Sequence, residues 1–391
     1  MNKISFYTRL KLLGFIMLTI SLNTFAQVDQ DSSEIGKVTI GGYGQIDFNQ
    51  PISSEVRRNA KLDIHRMVLL FGYQYNTRLS FLTELEMEHV SEVYVEQAYL
   101  NYSFSPLLNF KAGLVLIPMG FINEYHEPPV FNGVERPMLD TRIVPSTWRE
   151  IGVGFTGQIS FASISYQVYL VNGFASYNET PKLRGVDALR GGRQKGAESF
   201  MSSPNLSAKV SYYGILGLEV GLSGYFGKTQ SSLYDGIDPN DEILLQTADS
   251  SVIDVNMMAL DYRFRRGNFR SAGQVVYSSL GNTLQYNAFT GRDVGSALFG
   301  YYGEVSYVIP FKMQGQIHEV EPFVRWEHYN THFDVDGSIT KNEAYAYNGL
   351  GLGIGYRFHR NAVFKVDYIG YRLGSDTQNQ GVFSMGVGVS F

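Results

Sequence analysis

The residues best placed to do chemistry lie in one proline-broken stretch, Ile117 to Glu150. It holds Glu124, Glu127, Glu135, Asp140 and Glu150 together with Arg136, Arg142 and Arg149. Charges of both signs at irregular spacing suit electrostatic selection of ions or polar solutes rather than bond making. Catalysis has little to draw on. There is no cysteine, neither a Gly-x-Ser-x-Gly nor a His-Glu-x-x-His pattern, and five of the seven histidines (His89, His126, His318, His332, His359) fall in loops, turns or strand ends. No catalytic, cofactor or metal site is expected, and an outer-membrane barrel enzyme is only a minor alternative. Five prolines (Pro118, Pro128, Pro129, Pro137, Pro145) fix φ and remove backbone donors, so neither a helix nor a central strand can run through them. Phe121, Tyr125, Phe131, Ile143 and Trp148 give it apolar anchors, which marks a functional loop rather than a linker.

The elements that must hold this loop alternate with a period of two almost to the end of the chain. Sixteen such segments are expected. The first is Val38–Phe48, the second Leu62–Asn76, and the third sets Leu79, Phe81, Leu85 and Met87 against Glu84, Glu86 and Glu88. The fourth and fifth (Ala98–Phe104, Leu108–Leu116) lead into the loop, and the sixth opens with Ile151-Gly152-Val153 beyond it. The fourteenth alternates Leu350, Leu352 and Ile354 with Gly349, Gly351, Gly353 and Gly355; the last ends on Phe391. Tight turns alternate with mostly long connections, the 3–4 link being the short exception among the latter and the 12–13 link around Pro310 to His318 somewhat longer than the other turns. The expected fold is therefore an all-β transmembrane antiparallel barrel of about 16 strands, with the third loop folded into the lumen.

Sixteen strands enclose more space than side chains can fill, so the apolar phase must face lipid. The polar phase then lines the lumen: Arg66, Lys111, Lys209, Arg263, Arg270, Arg325, Arg357 and Lys365 against Asp47, Glu84, Glu86, Glu88, Glu219, Asp261, Glu304, Glu327 and Asp367. The near balance leaves ion preference open. The glycines of the fourteenth strand read as a side-chain-free surface toward which the loop crosses.

Residues 1–26 read as a signal peptide: Lys3, Arg9 and Lys11, the apolar run Leu12–Phe25, then Thr24-Phe25-Ala26. That run is short of the roughly 20 residues a helical span needs. Residues 27–36 form a polar periplasmic lead, and 37–391 the barrel domain. Losing three positive charges takes the formal charge from −5 to −8, which argues against a nucleic-acid partner. Expected partners are outer-membrane lipid, small polar or ionic solutes, further copies of the chain, and the barrel-assembly machinery through the strand ending at Phe391.

From strand two through strand six the chain resembles the phosphate-selective O and P porins. The matching residues are Ile64-His65-Arg66-Met67-Val68-Leu69, the Gly-x-x-x-x-Pro-x-Gly exit from Gly113 to Gly120, Glu135-Arg136-Pro137, and Arg149-Glu150-Ile151-Gly152-Val153. The resemblance implies a sixteen-stranded, commonly trimeric barrel with its third loop constricting the pore, and Arg136 is the residue carried over. Val68 and Leu116 stand where that family has basic residues, so phosphate itself is not implied. The expected function is a passive channel, with a non-conducting adhesin or structural barrel as the alternative. An energy-coupled transporter would need about 22 strands and a plug.

Overall fold

The computed structural model describes residues 36–53, 56–337, 339–376 and 380–391. The expected signal peptide and all but the last residue of the polar lead lie outside them. The wall begins with β1 (Val38–Ile52), β2 (Lys61–Gln74), β3 (Leu79–Glu88), β4 (Glu92–Ser105) and β5 (Leu108–Leu116). It continues through β6 (Arg149–Ile159), β7 (Ile164–Val171), β8 (Asn205–Ile215), β9 (Leu218–Lys228), β10 (Asp254–Arg266) and β11 (Phe269–Gly281). The remaining members are β12 (Ala297–Tyr307 with Ile309–Met313), β13 (Gln316–Asp334), β14 (Ala346–His359), β15 (Ala362–Leu373) and β16 (Gln380–Ser390).

Neighbours in sequence pair antiparallel, and β16 returns to β1, with Ile46 opposite Val387 and Gln50 opposite Phe383. The result is a closed sixteen-stranded barrel. Phe391 takes part in the closure, exchanging backbone hydrogen bonds with Gly42 at 2.9 and 3.1 Å.

The period of two becomes two surfaces. Met67, Leu69, Phe71, Leu350, Leu352 and Ile354 are exposed on the outside, while Arg66, Glu84, Glu86, Arg325, Glu327 and Lys365 are buried on the inside. An outward apolar belt loses roughly 25 cal/mol per Å² if left in water, so a hydrocarbon surround is what stabilises it. Two local readings change. Pro310 does not end β12: Ile309–Met313 pairs with Gln316–Val320, and the 12–13 link is a two-residue turn at Gln314-Gly315, both at positive φ. In β4 the register slips between the partners of Glu84 and Leu85. That bulge turns Glu96 inward beside Gln97, against the alternation.

At one end of the barrel the long connections carry structure of their own, including α1 (Leu139–Arg142), α2 (Glu242–Asp249) and α3 (Thr283–Thr290). Ala175–Asn178, Thr180–Pro181 and Gln230–Ser231 make a small separate sheet. One buried apolar cluster joins Phe121, Ile122, Phe131, Leu139, Ile143 and Trp148 to wall residues Tyr225, Met257, Val276 and Leu298, and to Phe174, Leu183 and Leu189 of the 7–8 connection.

Candidate functional site

The proline-broken segment is fastened at its base. Asn123 donates from Nδ2 to the carbonyls of Ile117 (2.8 Å) and Trp148 (2.9 Å) and accepts from the Trp148 amide (2.8 Å). Three bonds from one buried amide tie the segment's two ends together. Trp148 packs against Phe174 and Tyr225, both at 4.6 Å between centroids. Its Nε1 donates to Glu150 at 2.9 Å.

From there the segment meets interior-phase side chains around the ring. Lys209 on β8 donates to the Gly120 carbonyl (2.7 Å) and pairs with Glu124 (2.8 Å). Arg357 on β14 donates to the Pro129 carbonyl at 3.0 Å. Lys365 on β15 reaches the carbonyls of Phe131 and Gly133, both at 2.7 Å, and lies 4.0 Å over the Phe131 ring. Arg325 on β13 pairs with Glu304 (2.8 Å) and donates to the carbonyls of Asn132 and Glu135. Glu327 accepts from the Met138 amide at 2.6 Å. Most of these wall charges are thus engaged by backbone, which satisfies the carbonyls that a strandless loop leaves unpaired.

The glycine surface reading needs correction. A Cβ at Gly351 or Gly353 would meet Ile369, Arg325, Phe323 or Asp367, not the segment. Those glycines make room for neighbouring wall side chains. The segment rests instead on Gly388 of β16, where a Cβ would come 2.4 Å from Pro128, on Gly386 beside Val134 (2.9 Å), and on Gly300 of β12 beside Leu139 (2.6 Å).

Between the segment, β1, β2 and the 7–8 connection lies a cavity of about 360 Å³. Arg66, Arg136, Arg149, Arg190, Arg193 and Lys195 line it, with only two carboxylates, Glu88 and Glu135, and the imidazoles of His65 and His89. Arg66 is shared with Glu86 (3.4 Å) and Glu88 (3.9 Å), and Arg149 lies 4.0 Å from Glu86. Among the described residues no ion pair reaches Arg136, Arg190, Arg193 or Lys195. Arg136 Nη2 and Arg149 Nε are buried without a hydrogen-bond partner. Burial first, then the like charge of Arg66, lowers the Arg136 guanidinium to about 10. Burial and Arg190 lower Arg193 to about 9, and burial and Arg193 lower Lys195. Crowded cations with few counter-charges favour an anion.

The 7–8 connection supplies half of these cations, and sequence reasoning passed over them. The signal was the run Leu189-Arg190-Gly191-Gly192-Arg193-Gln194-Lys195. Arg190 Nη1 donates to the carbonyls of Thr141 (3.2 Å) and Ser146 (3.0 Å), and Arg193 Nη1 to those of Pro145 and Ser146, both at 3.0 Å.

Other expected site residues sit outside the cavity. Asp140 is fully buried, bonded through Oδ1 to Gln274 at 3.3 Å, and burial pushes its carboxyl up to about 8. Burial likewise raises Glu127. Arg142 is half-buried beside Tyr329. Lys111 lies 4.6 Å over the Tyr99 ring, and Arg357 pairs with Glu321 (3.3 Å). Glu84 accepts from Gln97 at 2.8 Å. Near it the bulged Glu96 holds His126 (2.8 Å) and Tyr43 (3.2 Å).

An uncharacterized protein of Aquifex aeolicus is 30% identical over 350 residues, which is 85% of this chain and 75% of that one. No family model matches. Among solved structures, the outer membrane channel DcaP of Acinetobacter baumannii superposes with a TM-score of 0.59 at 11% identity, covering 94% of this chain and 100% of that one. Salmonella typhi OmpF, solved as a complex with daunomycin, gives a TM-score of 0.58 at 12% identity over 91% of this chain and 98% of that one. At these identities the likeness is one of fold.

Proposed function

The chain belongs to one family with the Aquifex aeolicus protein and has the porin barrel fold, and from that premise we propose that it is an outer-membrane channel for small polar solutes that favours anions. The segment 117–148 narrows the lumen, with Glu124, Glu127, Glu135, Arg136, Asp140, Arg142 and Arg149 in or beside the constriction. What supports the constriction is the set of hydrogen bonds from interior-phase residues of β8, β13, β14 and β15 to that segment. The single observation that carries the anion preference is the cavity with six cationic side chains against two carboxylates. Fixed cations facing a water-filled space attract anions and repel cations without binding either tightly.

Export by the leader at 1–26, insertion by the barrel-assembly machinery acting on β16, and assembly into trimers belong to the same reading. Phosphate is the finer reading, drawn from the resemblance to the O and P porins. Planar-bilayer recording tests conduction and the phosphate reading together. Stepwise conductance separates a channel from a non-conducting adhesin, and millimolar phosphate that blocks chloride current supports the phosphate reading. Chloride current indifferent to phosphate leaves a general anion channel.

A further inference from the structure

At the edge of the same cavity, three residues far apart in sequence come together. Asp47 on β1, His65 on β2 and Glu135 in the 117–148 segment each offer one ligand atom, all within 4.8 Å of one another. His65 Nδ1 lies 2.8 Å from Asp47 Oδ2, and Gln45 Nε2 donates to that same oxygen at 2.9 Å. Asn49 Nδ2 donates to Glu135 Oε1 at 2.9 Å.

Arg66 touches this cluster only at His65 Nε2, and among the described residues neither carboxylate pairs with a lysine or arginine. Among the described residues Glu135 has no ion pair, and the sole ion-pair partner of Asp47 is His65. Asp47 is 3% exposed, and its Oδ1 is buried with no hydrogen-bond partner. Asn49 Oδ1 is buried and unpartnered as well. A buried carboxylate with a spare oxygen, facing a second carboxylate, is costly unless a cation lies between them. An imidazole beside two carboxylates suits zinc and its first-row neighbours better than magnesium or calcium, which take oxygen donors alone.

We propose that Asp47, His65 and Glu135 bind one divalent metal ion of the zinc class, which fastens the 117–148 segment to β1 and β2. Binding at His65 Nδ1 places the imidazole proton on Nε2. Arg66, now 3.0 Å from Nε2, then gives up that contact and keeps Glu86 at 3.4 Å. The ion adds charge at the cavity edge and so strengthens its attraction for anions. The site deepens the channel reading through the placement of Glu135 but does not depend on conduction.

Calorimetric titration of the full chain in detergent with zinc chloride tests this. The expected result is one ion per chain, binding at least tenfold weaker in each of Asp47→Asn, His65→Gln and Glu135→Gln, and unchanged in His359→Gln, which alters the exposed end of β14. Heat-modifiable gel mobility confirms that each variant is folded. Absence of saturable binding, or variants that bind as the parent does, overturns the site. Conductance is read separately: a conducting chain that binds no zinc refutes the metal site alone, and a zinc-binding chain that passes no current refutes the channel alone.

Discussion

Arg193 offers the sharpest test of whether the cavity selects ions by charge. A volume of about 360 Å³ corresponds to a sphere of roughly 4.4 Å radius, so lining charges stand about 6 Å from an ion at its centre. One unit charge at that distance is worth about 0.7 kcal/mol at the dielectric constant of water and about 3 kcal/mol at an effective value near 20. Arg193→Gln therefore lowers anion occupancy at least about threefold and raises cation occupancy by a similar factor. The chloride-to-potassium permeability ratio should fall by about tenfold or more. Salt near 0.1 M leaves this visible, because the Debye length of about 10 Å exceeds the distance involved. The assay is reversal potential across a KCl gradient. Because Arg193 also anchors the carbonyls of Pro145 and Ser146, Arg193→Lys serves as the control. It keeps the charge and weakens the anchor, and its selectivity should stay close to that of the parent. A folded Arg193→Gln channel with an unchanged reversal potential refutes the reasoning.

Asn123→Ala removes all three bonds that clasp the segment's base, at about 1–3 kcal/mol for the groups left unsatisfied; noisier, larger single-channel currents should result. Gly388→Val drives a side chain into Pro128 and should change conductance, whereas Gly351→Ala meets nothing closer than 3.4 Å and should leave it unaltered. Asp140 gives a pH signature. Its carboxyl titrates near 3.8 when unfolded and near 8 when folded, so the folded chain binds the extra proton between those values. Stability is fully present below the lower value and falls by up to about 1.4 kcal/mol per unit as pH rises through the upper one. Thermal unfolding in detergent between pH 5 and 9 should show that slope, and Asp140→Asn should flatten it.

Period-two alternation located all sixteen wall strands, because inside and outside of a barrel are chemically opposite and a one-residue slip exchanges them. The apolar anchors Phe121, Phe131, Ile143 and Trp148 were legible for a similar reason: large side chains in a strandless segment need a core. The failures were local. Glu96 lay hidden because a bulge adds one residue to the count. The 12–13 link was placed around Pro310 to His318, although a strand tolerates proline where its ladder needs no amide donor. The cavity was harder to see, since Arg66, Arg136 and Arg193 come from three elements far apart in sequence that only the folded chain brings together. The charge tally along the wall gave near balance because it left out Arg136, Arg149, Arg190, Arg193 and Lys195, which come from the connections and the start of β6. Selectivity depends on the charges left over, and sequence alone does not show which those are.

The most direct single measurement is the sign of the reversal potential of the unmodified chain in a planar bilayer under a tenfold KCl gradient. A potential on the chloride side of zero is the predicted result, with the six cations of the cavity setting it. A potential on the potassium side, or a folded barrel that passes no current, would contradict the proposal of an anion-favouring channel.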